Sequence, residues 1–87
     1  MWLRTSEFDC VNLDRCNNIY VRKVIGSGSV IKATCEACDL YLFSDEDCKK
    51  VEDVYKRIVD GIFNKVEFAD IADFLGEQDV SLERNSG

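Results

Sequence analysis

The chain predicts an α+β fold: an antiparallel meander of four or five strands packed against one long C-terminal amphipathic helix, with a short second helix after it. Three observations lead there. Through the first half of the 87 residues, β-branched and aromatic side chains come in short runs separated by turn residues, the pattern of strands. After Ser44 the apolar positions change to three- and four-residue steps, the period of a helix. Gly26-Ser27-Gly28 lies between two such runs, and glycine enters positive φ freely, so it marks a hairpin turn.

Taken in order, residues 2–5 make a first strand and residues 6–9 its turn. Residues 10–13 make a second strand, and Asp14 with the paired Asn17 and Asn18 supplies loop chemistry. Residues 19–25 form the third strand, residues 29–34 the fourth and residues 40–43 the fifth. If Thr34 opposes Asp39, then Ala33 opposes Leu40, Lys32 opposes Tyr41, Ile31 opposes Leu42 and Val30 opposes Phe43. Side chains alternate along a strand, so Ile31, Ala33, Leu40 and Leu42 share one face, and Cys35 and Cys38 extend it around the turn at Glu36-Ala37. Val21, Ile25, Val30, Tyr41 and Phe43 are then expected on the opposite face. A change of one residue in the glycine turn would flip that assignment.

Ser44 is placed as the N-cap of the long helix, residues 45–63, with Asp45, Glu46 and Asp47 in the first turn where the helix dipole favours anions. Cys48, Val51, Val54, Tyr55, Ile58, Val59, Ile62 and Phe63 draw an apolar stripe along it. Gly61, inside the stripe, costs about 1 kcal/mol relative to alanine and marks a close approach or an early end. Phe68, Ile71, Ala72 and Leu75 spell the second helix, residues 67–75, with Gly76 as its stop. One domain, 1–76, with a flexible C-terminal tail, 77–87, is the expected organisation.

The opening Trp2-Leu3-x-Thr5, then Val11-Asn12-Leu13, the strand at Ile19, a glycine turn, two more strands and an amphipathic helix resembles a group of short uncharacterised proteins of Gram-positive bacteria and their phages. The resemblance spans about residues 1–66. It implies an antiparallel sheet covered by a helix, a phage or mobile-element origin, and no known activity.

Composition narrows the function classes. Hydrophobic content of 46% with 32% charged residues belongs to a folded globular chain. No apolar run approaches the roughly 20 residues of a membrane helix, and MWLRTSEFDC lacks the layout of a secretory signal. The expectation is a cytoplasmic protein with no membrane partner, whose five cysteines are reduced and serve as small hydrophobes. Net charge is −6, and it is unevenly placed. Through Cys38 five basic residues face four acidic ones, whereas from Asp39 onward there are six basic and thirteen acidic. Phosphate backbones are repelled by such a surface, with Arg22, Lys23 and Lys32 the one nucleus for a basic patch. No direct nucleic-acid partner is expected.

Cys35-x-x-Cys38 is the sharpest motif. A structural zinc site needs four ligands, and with no histidine the others would come from Cys10, Cys16, Cys48 or carboxylates. A thioredoxin-like role needs the motif to open a helix after a parallel strand, and here a strand follows it. Two small residues at a hairpin tip is the simpler reading, with no metal and no cofactor. Asp45, Glu46 and Asp47 diverge on a helix and lack calcium-loop spacing. Without histidine the commonest general base is missing, so no catalytic residues are assigned and no enzyme is expected. The glycine turn fits no phosphate-binding loop.

These readings converge on a non-catalytic protein-interaction module. Partner contact is expected through an uncovered sheet edge or through the apolar residues of the second helix, Phe68, Ile71, Phe74 and Leu75, a surface that would also suit a homodimer. Two alternatives come from other classes. One is an acidic inhibitor that mimics nucleic acid to block a host nucleic-acid-binding protein; the other is a small cysteine-based zinc-binding domain.

Overall fold

The computed structural model describes residues 1–6, 8–36 and 38–75. It is an α+β fold with two small sheets of three strands each. β1 (Trp2–Ser6) pairs antiparallel with β2 (Asp9–Asn12). A 3-10 turn at Leu13–Arg15 then leads into β3 (Cys16–Val24), β4 (Gly28–Cys35) and β5 (Cys38–Asp45), which form a continuous antiparallel meander. Helix α1 (Cys48–Phe63) follows, and β6 (Phe68–Asp70) returns to pair parallel with β1. Residues 71–75 are helical. Gly76 and the expected tail lie outside the described residues.

The single meander expected from the sequence is therefore divided. The break falls at Asn12, whose side chain accepts from the Asp14 backbone N–H and caps the 3-10 turn, while Leu13 drops into the core at 5% exposure. One short turn thus rotates the chain out of the first sheet and into the second. Nor is α1 the last element, because Lys65 takes up a left-handed φ of 58° and the chain doubles back. Val66 N–H bonds to Gly61 O and Lys65 N–H to Ile62 O, the paired contacts of a Schellman helix end.

A single apolar cluster joins the two sheets. Val51, Val54 and Ile58 of α1 lie on Ile31 and Ala33 of β4 and Leu42 of β5, and Leu3 of β1, Leu13, Met1 and Ile71 close the cluster from the other side. Leu3, Ile31, Ala33, Val51 and Ile58 have no exposure at all. Burying side chains of this size contributes roughly 1.5–3 kcal/mol each relative to exposure. Gly61 marks a close approach, for a Cβ there would stand 2.9 Å from the Met1 side chain.

Cross-strand pairing follows the expected register from Cys35↔Cys38 to Lys32↔Tyr41, then shifts by one. A bulge leaves Leu42 without a partner, so Ile31 opposes Phe43 and Val30 opposes Ser44. Leu42 and Phe43 both pack on the core in consequence. The turn between β3 and β4 is also one residue earlier than expected, with Val24 opposite Gly28. Val21 is opposite Ile31 and packs on the helix-covered face, not on the face expected for it, because a three-residue turn at either position keeps it on the side of Ile31 and Ala33. Ile25 falls in the turn and is fully exposed. Gly28 is required where it stands: its φ is +85°, and a Cβ would lie 2.6 Å from Glu46 Cα and nearer still to Asp45 O.

The helix start moves too. Asp47, not Ser44, is the N-cap, accepting from Lys49 and Lys50 backbone N–H groups. β5 runs on to Asp45 because Ser44 pairs with Val30, and the Ser44 hydroxyl meets Tyr41 OH at 2.5 Å. Asp47→Ala is expected to lower unfolding free energy by about 1 kcal/mol. Ser44→Ala should stay within about 0.5 kcal/mol, and urea titration of both variants checks the order.

Candidate protein-interaction surface

Alternation along β1 sends Leu3 inward and Trp2 and Arg4 outward. In β6 the in-register partners are Phe68 beside Trp2, Ala69 beside Leu3 and Asp70 beside Arg4. Residues in register share a face, so Phe68 and Asp70 also point outward. The Arg4 guanidinium reaches Asp70 Oδ2 at 2.5 and 2.8 Å, while Asp70 Oδ1 accepts from Ala72 N–H at 2.9 Å. The backbone bond from Ala72 first, and the Arg4 charge with it, hold the Asp70 carboxyl below its ordinary range. One carboxylate thereby fastens β6 to β1 and starts the helical residues 71–75. With β6 so held, Phe68 stands at the side of Trp2.

The end of α1 adds to this face. Its stripe is longer than the sheet beneath it: Val51, Val54 and Ile58 are buried, but Ile62 and Phe63 run past the cover. Met1, Trp2, Asp14, Ile62, Lys65, Val66 and Glu67 line a hollow of about 440 Å³. Trp2 is 49% exposed, Phe68 56% and Phe63 80%. The hollow carries carboxylates at Asp14 and Glu67 against Lys65, with Asp14 also meeting the Met1 ammonium at 2.5 Å.

The contact residues expected from the sequence separate in the structure. Phe68 is on the surface, in a strand. Ile71 is 6% exposed and part of the core, and Phe74 and Leu75 are half-buried against it, so these three face inward. The reason is that residues 68–70 are extended: the chain enters the helix at 71, and the periodicity that joined Phe68 to Ile71 does not hold. Trp2, Ile62, Phe63 and Val66 were not expected in a site. Trp2 carried a signal, since the sheet has more aromatic residues than one face can bury.

The basic nucleus is brought together as well. Arg22, Lys23 and Lys32 line one shallow hollow with Val24, Ile25 and Tyr41, at the β3–β4 turn end of the second sheet. Among the described residues, no three His, Cys, Asp or Glu side chains converge to hold a metal ion, and no helix is long and apolar enough to cross a membrane.

The cysteines are arranged in an unexpected way. Cys35 and Cys38 oppose each other at the hairpin tip as the sequence predicts. However, β3 begins three residues earlier than expected and places Cys16 opposite Cys35 on the other side. Cys16 Sγ lies 2.7 Å from Cys35 Sγ. Burial first, then the hydrogen bond with Cys35 and the nearness of Cys35 and Cys38, push the Cys16 thiol from 9.0 up to about 12. Cys10 is exposed opposite Arg4, and Cys48 opens α1.

Compared with protein-family models, curated proteins and solved structures, the chain shows no match.

A thiol raised in the folded state leaves stability intact below its ordinary pKa and removes it as pH climbs, because the unfolded chain releases the proton first. For Cys16 that window runs from 9.0 to about 12. Urea titrations under reducing conditions should therefore show a steeper alkaline loss for the native chain than for Cys16→Ala. Parallel alkaline profiles would contradict the assignment.

Proposed function

We propose that the protein is a non-catalytic protein-interaction module that binds a partner protein through Trp2, Ile62, Phe63, Val66 and Phe68. The observation that carries this reading is the pair of large aromatic side chains, Trp2 and Phe68, held in register and half exposed on an ion-paired strand. Single exposed apolar residues are ordinary on protein surfaces. An exposed aromatic pair beside a hollow that Trp2 itself lines is the anatomy of an interface anchor, and tryptophan is among the residues enriched there.

The partner's chemistry follows from charge. At −6 the molecule attracts cationic surfaces and repels its own copies. The partner is accordingly a protein that offers an apolar side chain flanked by Lys or Arg, the latter toward Asp14 and Glu67. Absence of histidine from the sequence supports the non-catalytic part, since it removes the side chain that ordinarily titrates near neutrality. A phage or mobile-element setting, implied by the resemblance of the opening strands, belongs to the same reading.

Selection of displayed random peptides against the immobilised protein tests it. Enriched peptides should combine an apolar anchor with basic flanks. Trp2→Ser and Phe68→Ser should each weaken them by roughly tenfold or more, in variants whose circular dichroism remains that of the folded chain. Peptides indifferent to both substitutions would overturn the proposal. Binding that ignores Trp2 and collapses with added salt would instead favour an acidic mimic of nucleic acid. A dimer in sedimentation that Trp2→Ser abolishes would make the occupant a second copy.

A further inference from the structure

Three of the five cysteines form a row across the end of the second sheet. Cys16 of β3, Cys35 of β4 and Cys38 of β5 are consecutive cross-strand partners. Directly opposed residues share a face, so all three thiols point to the same side. Opposed Cα atoms in an antiparallel ladder stand about 4.5–5.5 Å apart, inside the range of about 4.4–6.8 Å that a disulfide spans. Cys16 and Cys35 already have sulfurs 2.7 Å apart. Carbon atoms rest at about 3.5–4.0 Å, and sulfur is larger, so no atom separates this pair.

We propose that Cys16 and Cys35 form a reversible disulfide, with Cys38 as the exposed thiol through which it is made and opened. Accessibility is graded in the sense this needs: Cys38 is exposed, while Cys16 and Cys35 are half-buried. The oxidant is a low-molecular-weight disulfide. Cys38 thiolate attacks one of its sulfurs and releases the first small thiol. Cys35 thiolate attacks the Cys38 sulfur, releases the second small thiol and leaves a Cys35–Cys38 bond. Cys16 then attacks Cys35, its proton passing to Cys38 as that sulfur departs. Two protein thiols are oxidised and one small disulfide is reduced to two thiols. A reducing small thiol in excess runs the steps backward.

The place of the bond gives it a consequence. Cys16 directly follows the 3-10 turn that hands the chain from one sheet to the other, and its Sγ also lies 3.8 Å from Asn12 O at the end of β2. Beside it the ladder is irregular, with a register shift between Cys16 and Asn18. The bond therefore fastens the first residue of β3 to β4 directly after the joint between the sheets, beside an irregular stretch of the ladder.

Oxidised glutathione added to the native chain, followed by alkylation and non-reducing peptide mapping, tests this. The expected result is a single Cys16–Cys35 linked peptide, a mass lower by two hydrogens, and a thermal midpoint raised by roughly 10 °C or more. Cys10→Ser and Cys48→Ser should keep the link. Cys38→Ser should form it several-fold more slowly. The mapping of the native chain is decisive whether or not Cys16→Ser folds. A link confined to Cys35–Cys38, bonds only between molecules, or five thiols that all remain free to alkylation would each overturn the proposal.

Discussion

Everything in this molecule depends on the contact between the stripe of α1 and the centre of the second sheet. Val51, Val54 and Ile58 cover Ile31, Ala33 and Leu42, and Leu3 and Ile71 reach into the same cluster from the first sheet. Neither sheet has enough strands to bury a face alone, so the helix between them supplies the common apolar layer. Truncating Ile58 or Ile31 would open a cavity where both sheets meet, at a cost of about 2–5 kcal/mol, a large part of the stability of a domain this size.

The same contact explains where apolar surface is left over. The stripe continues past the sheet edge to Ile62 and Phe63, and the Schellman turn at Lys65 sends the chain back as β6. β6 is only three residues long, too short to be held by its ladder alone, and the Arg4–Asp70 pair adds the contact that keeps it in register. Half-exposed ion pairs contribute little to stability; here the consequence is positional, since it decides that Phe68 stands beside Trp2. Helix overrun and strand return thus build one surface from segments far apart in the chain.

Local chemistry was legible in the sequence. The strand-rich first half, the helix over Val51 to Phe63, and the hairpin pairing of Ala33 with Leu40 all follow from periods of two and of three to four. What was not legible depends on one-residue events or on distant partners. The bulge at Leu42 has no residue signature. The 3-10 turn after Asn12 looked like the end of a strand. Phe68 to Asp70 sits at helical spacing from Ile71 and becomes extended only because β1 offers it a partner 66 residues away. Of the four contact residues expected from the sequence, that change left Phe68 on the surface and turned Ile71, Phe74 and Leu75 toward the core. The Cys16–Cys35 encounter was hidden for a similar reason, since it needed the true start of β3.

Trp2 is the sole tryptophan of the chain, so its emission reports the state of this surface directly. The most direct measurement is acrylamide quenching of Trp2 fluorescence in the free protein across a range of protein concentrations. An open, unpartnered face predicts efficient quenching that is independent of concentration. Emission shielded from acrylamide at every concentration would mean that Trp2 is buried within its own fold, and the surface built around it would not exist.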